Sequence, residues 1–215
     1  MNGRRTSAVN LETLVEEPSA KVALDLFLPR LLPDGVAFTV HAFEGRHQLL
    51  TRLEQRLHGF RHYGSDTRIL VLIDRDNDDC RALKEALERA AATVGLPTLA
   101  ESGGPDIIRV CNRIVCEELE AWFLGDPKAL CTAYPKVKPG YASGAKFRDP
   151  DAITGGTWEA LLDLLKKAGY YRDRARLPKT EIARAVAPYL VPDRNTSPSF
   201  RAFVDGTRRL VGDLR

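Results

Sequence analysis

Cysteine is sparse and unpatterned in this chain of 215 residues: Cys80, Cys111, Cys116 and Cys131 form no Cys-x-x-Cys pair. That spacing offers neither a disulfide framework nor a thiolate zinc site, so reduced thiols in a cytoplasmic protein are expected. His41, His47, His58 and His62 fall within 22 positions, and their spacing matches no zinc signature. The opening MNGRR turns apolar only briefly and lacks a secretory pattern. No apolar run approaches the ~20 residues that span a bilayer, so no membrane partner is expected. Internal repeats are also missing.

A strong charge of either sign is lacking as well. Lys and Arg number 32 against 29 Asp and Glu, a net charge of +3, too small to announce a nucleic-acid binder. Distribution says more than the sum. Acids concentrate in the first half, at Glu16, Glu17, Asp74 to Asp79 and Glu117 to Glu120, whereas the stretch from Tyr134 onward is rich in Lys and Arg. An acidic centre flanked by a basic surface is the arrangement this asymmetry suits. With 44% hydrophobic and 28% charged residues, the composition is that of an ordinary globular protein with one sizeable core, or a core with an appendage.

Apolar runs alternate with segments of helical period. The pattern predicts strands over 6–15, 36–43, 68–73 and 106–115, and helices over 18–32, 46–60 and 79–94. Pro18 suits a first helical turn, Asp78 or Asp79 can cap the third helix, and Gly95 ends it. A further helix holds Leu119, Trp122, Phe123 and Leu124. Strands alternating with helices at these lengths mean βαβ units, hence an α/β fold with a mostly parallel, Rossmann-like sheet flanked by helices. Residues 133–157 turn rich in Pro, Gly, Lys and Ser and read as a basic loop or linker. Helices expected over 158–167, 181–186 and 199–211 then form a C-terminal helical subdomain. The expected division is 1–132 for the core, 133–157 for the linker and 158–215 for the subdomain.

ILVLIDRDND, residues 69–78, drives an apolar strand into three carboxylates. In parallel α/β sheets working residues gather beyond the carboxyl ends of strands, and Glu16 and Asp74 both stand there. Asp74 and Asp76, one residue apart where the chain leaves the pleat, can turn toward one hard cation. Glu16 can close that site from the neighbouring strand. Glu117 and Glu120, three apart and read as sharing a helix face, are further metal candidates beyond the fourth strand. Each has a plainer alternative: Asp78 and Asp79 as caps, Glu117, Glu118 and Glu120 as a solvated first turn, Glu17 as surface.

LVEEPS at 14–19 followed by IDRDND at 73–78 resembles the Toprim domain, the family of topoisomerases, DnaG-type primases and OLD nucleases. Glu16 matches the Glu after the first strand, and Asp74 with Asp76 match the family's DxD. CEELEAWFLGD at 116–126, KTEIARAVAPYL at 179–190 and NTSPSFRAFVDGTRRL at 195–210 look like segments of a bacterial Toprim-like domain family of unknown function, and the resemblance spans nearly the whole chain. It departs at Glu17, where the family has Gly, and at Ala20, where a further acid is expected.

The resemblance implies a Toprim-like fold holding Mg²⁺ or Mn²⁺, and a metal-dependent nuclease cleaving DNA or RNA in the setting of antiviral defence. Glu16, Asp74 and Asp76 would be catalytic metal ligands, and Lys179 would steady the phosphoryl oxygens. Lys136, Lys138, Lys146, Arg148 and Arg174 are candidates for phosphate contacts, with Tyr134, Tyr141, Tyr170 and Tyr171 either stacking on bases or packing inside. Phe200, Phe203 and Trp158 are expected to pack the helical subdomain. The alternative is a non-catalytic or regulatory Toprim-like subunit that binds an ATPase partner; a homo-oligomer is compatible with either. A small-molecule phosphotransferase with a receiver-like acidic pocket shares the fold class.

Overall fold

The computed structural model describes residues 9–76, 78–101 and 108–212. Four strands, β1 (Asn10–Val15), β2 (Ala37–Ala42), β3 (Thr67–Asp74) and β4 (Val110–Val115), form one parallel sheet in the order β2-β1-β3-β4. Every residue of β3 is buried, as expected of a central strand covered on both faces. The expected strand over 6–15 starts at Asn10 among the described residues, with 6–8 outside them. Likewise the fourth strand begins at Val110, and 106–107 lie outside the described residues. Ahead of it the amides of Arg109 and Val110 both donate to the Pro97 carbonyl, while the Arg109 carbonyl accepts from the Ile69 amide of β3.

Side-chain alternation sends each strand's apolar set to two faces. Leu14, Ile69, Val71, Ile73 and Val110 meet α2 (Arg46–Arg61), through Leu49, Leu53, Leu57 and Phe60, and α3 (Cys80–Thr93), through Leu83 and Leu87. Asp79 caps α3 by accepting from the amides of Arg81 and Ala82. On the other face Leu11, Val15, Leu70, Leu72, Cys111 and Val115 join a larger cluster. That cluster includes α1 (Pro18–Leu31), α6 (Thr157–Lys167), α7 (Lys179–Val186) and α8 (Pro198–Val211). Phe200 and Phe203 are wholly buried against Trp122 and Phe27, so they pack as expected.

The helix expected around Leu119 to Leu124 is α4 (Glu120–Leu124), and a second short helix that was not expected, α5 (Pro127–Ala133), follows it, starting at a proline whose missing amide suits a first helical position. Asp126 at the break is wholly buried; it caps Ala129, accepts from Val191 and forms a two-pronged pair with Arg194 at 2.6 and 2.9 Å. Beside it Asn195 donates to the Trp122 carbonyl, and a Cβ at Gly125 would lie 2.3 Å from Asn195 Oδ1, so only glycine fits. These bonds interlock FLGD at 123–126 with RNTS at 194–197. Segment 133–157 is more ordered than a plain loop: three 3₁₀ turns, Pro139–Ser143, Ala145–Phe147 and Pro150–Ala152, punctuate it. Among the described residues no helix is long and apolar enough to cross a membrane.

Candidate active site

Strand order decides whether the acids meet. With β1 beside β3 and β3 beside β4, the three strands that end in carboxylates are contiguous, and Val15 registers with Leu72 while Asp74 registers with Val115. Just past the ladder the Asp76 amide donates to the Glu117 carbonyl at 2.9 Å, and the Gly45 amide donates to the Glu16 carbonyl at 2.7 Å. Asp76 (φ 47°) and Glu117 (φ 61°) both sit in the left-handed region, costly for non-glycine residues and frequent where a site fixes the backbone.

At this edge Glu16, Asp74 and Glu120 are buried, 9%, 5% and 0% exposed. Burial is the main force on their protonation. It pushes Glu16 up to about 7, with help from the Asp76 and Glu17 charges and opposition from Arg46. Asp74 is raised well above the usual range by burial and then by Glu16, Glu120 and Glu17. Glu120 is also raised to about 7, through burial, against the pull of Lys179. Glu117 and Glu118 are raised too, again chiefly by burial. Among the described residues one oxygen of Glu16, one of Glu117 and both of Glu120 lack a hydrogen-bond partner. Such groups are costly unless something compensates them.

Among the described residues two cations form ion pairs with this cluster, each from the first residue of a helix. Lys179 Nζ lies 3.3 Å from Glu118 and 3.5 Å from Glu17, and the surrounding acids outweigh burial and raise its pKa, which keeps it protonated. Arg46 bonds the Asp74 carbonyl, pairs with Asp76 and Asp78, and stands 3.9 Å from Glu16. Sequence reasoning missed Arg46. A positive charge at a helix N-terminus opposes the macrodipole, and that misplaced sign, in EGRH at 44–47, was the available signal.

Glu16, Asp74, Asp76, Glu120 and Lys179 are therefore neighbours. Glu117 differs from expectation: it lies in a left-handed turn before α4, so it and Glu120 share no helix face. It lines a cavity of about 490 Å³ with Asp76, Glu118, Trp158 and Glu159, the last not anticipated. Glu17, read as surface, instead pairs with Lys179. Asp78 pairs with Arg46 and leaves the cap to Asp79. Lys136, Lys138, Lys146, Arg148 and Arg174 are all exposed, and among the described residues none pairs with the acidic cluster. Lys136 lies over the Tyr170 ring and Lys146 beside Phe147. Tyr134 is buried with its hydroxyl 3.0 Å from that of Tyr171, and Tyr141 donates to the Leu124 carbonyl, so these two rings pack rather than stack on a ligand.

The donor set is all carboxylate oxygen, the chemistry of a hard cation such as Mg²⁺ or Mn²⁺. Among the described residues no three acidic, imidazole or thiol groups form a ready-made cage. Mg²⁺ needs none, since one or two carboxylates and several waters suffice. The unpartnered oxygens of Glu16 and Glu120 beside Asp74 fit that demand, with Asp76 joining once it leaves Arg46.

Fold and site together define a parallel α/β protein with an acidic centre at the carboxyl edge of its sheet. The chain belongs to the family described as domain of unknown function DUF4276, whose model matches residues 15–207. No curated protein matches it. Among solved structures it is similar to the C-terminal region of the Burkholderia pseudomallei OLD protein, at 19% identity and a TM-score of 0.49, over 94% of this chain and 98% of that one.

Proposed function

We propose that this protein is a metal-dependent nuclease that hydrolyses phosphodiester bonds at the carboxyl edge of the sheet. The observation that carries the reading is the gathering of buried, incompletely bonded carboxylates, Glu16, Asp74 and Glu120, from three contiguous strand ends beside protonated Lys179. The resemblance of LVEEPS and IDRDND to Toprim motifs agrees with it.

Glu16, Asp74 and Asp76, with Glu120 behind them, would hold Mg²⁺ or Mn²⁺. Once bound, the ion neutralises charge on the phosphoryl oxygens and lowers the pKa of a water. Lys179 offers a fixed positive charge to a nonbridging oxygen, which helps where charge develops in the transition state. Exposed Lys136, Lys138, Lys146, Arg148 and Arg174 can contact the polymer backbone. A role in antiviral defence is the setting such a nuclease suits.

Incubation with Mg²⁺ or Mn²⁺ and plasmid, single-stranded DNA or tRNA should give cleavage that Asp74→Ala abolishes. Cleavage by the variant at the wild-type rate defeats the reading. A second reading, a regulatory subunit that binds an ATPase partner, draws on the engagement of Asp76 by Arg46 and on buried Ala20 where the motif carries an acid. It predicts no metal-dependent cleavage of any of the three substrates.

A further inference from the structure

The exposed side of α2 carries a groove that the acidic site leaves unused. Gln48, Arg52, Gln55, Arg56, Gly59 and Tyr63 line it at helical spacing, and Phe43 and Phe60 form its floor, enclosing about 510 Å³. That volume is of ligand-site size. Gly59 sits in the last turn of the helix with open space where a Cβ would project. Neither packing nor a positive φ requires glycine there, so a residue of poor helix propensity keeps the groove open.

Charge and aromaticity point to one kind of occupant. Arg52, Arg56 and Arg61 are exposed on α2, and among the described residues none has an acidic partner within ion-pair distance. Glu54, the single acid of the helix, is not among the groove's lining residues. Tyr63 is 53% exposed, an unusual position for a large ring, and stands edge-on to Phe60 with centroids 5.3 Å apart. The Arg56 guanidinium lies 5.9 Å from the centre of the Phe43 ring. Unpaired arginines attract phosphates, and rings set among them accept unstacked bases, which a duplex keeps stacked inside itself. At its other end α2 starts with Arg46, bonded to the acidic site.

We infer that the α2 groove binds a single-stranded nucleic acid and leads it to the carboxylates. Arg52 and Arg56 hold the backbone, and a base stacks on Tyr63 above Phe60. As an account of the substrate class, the inference rests on the nuclease reading, although binding can be measured without cleavage.

Fluorescence anisotropy with labelled oligonucleotides of about 12 nucleotides, in EDTA, tests it. Wild type should bind the single strand roughly tenfold or more tightly than the matching duplex. Tyr63→Ala should weaken binding by roughly tenfold while Tyr63→Phe restores it, and Arg52→Ala with Arg56→Ala should lower the salt slope by about 1.4, the share of two phosphate contacts. Gly59→Leu fills the groove without changing charge and should also weaken binding. The substituted side chains are exposed, and circular dichroism confirms that each variant folds. Unchanged affinity in Tyr63→Ala, in the double Arg52→Ala and Arg56→Ala variant and in Gly59→Leu alike, no binding by wild type, or equal affinity for duplex overturns the inference. So does a dimer in sedimentation that Gly59→Leu disperses, since a second copy would then occupy the groove. If Asp74→Ala binds like wild type and nothing is cleaved, the groove stands and the nuclease reading falls; cleavage with a KM indifferent to Tyr63→Ala has the opposite meaning.

Discussion

Replacing Glu16 by glutamine should make the metal-free protein more stable at neutral and alkaline pH. In the folded chain the Glu16 carboxyl is held at about 7 against an ordinary 4.5, burial being the largest cause and the Asp76 charge the next. A raised acid is protonated in the native state over a range where the unfolded chain has already lost its proton. Below about pH 4.5 both states carry the proton and the group contributes nothing; between 4.5 and about 7 stability falls as pH rises, and above that the loss is complete. A shift of this size corresponds to about 3 kcal/mol, most of which accrues between about pH 5 and pH 8. Urea denaturation in EDTA, followed by circular dichroism at those two pH values, isolates the term as the change in the difference between Glu16→Gln and wild type. The variant should gain roughly 2–3 kcal/mol relative to wild type on going to the higher pH, or ~4–12 °C in midpoint temperature. Saturating Mn²⁺ should reverse the ranking by stabilising wild type alone. A difference that stays the same at both pH values refutes the argument that Glu16 is a repelled, buried carboxyl.

Cation uptake should release protons, because Glu16 and Glu120 are both held near 7 and must ionise to bind; calorimetry in buffers of different ionisation enthalpy should show release near pH 7 and affinity rising with pH from about 6 to 7.5, whereas pH-independent uptake contradicts it. Lys179→Met should lower kcat by roughly 10²–10³-fold with little change in KM, the loss of one fixed charge at the transition state, and a variant as active as wild type removes Lys179 from the mechanism. Arg194→Ala strands the buried Asp126 carboxylate on its two backbone donors. It should cost about 3–5 kcal/mol by urea unfolding, and a loss under about 1 kcal/mol would mean that water replaces the guanidinium.

Much of the fold was legible because β3 and the helices obey their periods. ILVLI at 69–73 reads as a doubly covered strand and is one, and α1, α6 and α8 start within a residue of their expected positions. What failed locally has local causes. Glu117 was assigned a helical face because EELEAWFL carries helical spacing, yet its backbone turns left-handed where Asp76 bonds its carbonyl, an event fixed by the neighbouring strand rather than by its own segment. Glu17 looked like surface because its partner, Lys179, lies 162 residues away. Strand order was likewise beyond reach: parallel βα units fix the acids at the same edge, but only the observed order makes β1, β3 and β4 contiguous.

Arg46 shows why a misplaced charge is worth following. Its guanidinium bonds the Asp74 carbonyl and pairs with Asp76 and Asp78, so part of the acids' mutual repulsion is already offset by a side chain from the start of α2. Glu16 and Glu120 remain raised, chiefly by burial, in spite of it and of Lys179, so the two helix-borne cations do not offset the cost of burying these carboxyls. A divalent ion held by Asp74 and Glu16 would compete with Arg46 for Asp76. Release of that arginine would free a positive charge at the start of α2 beside the acids, where an incoming phosphate could be held.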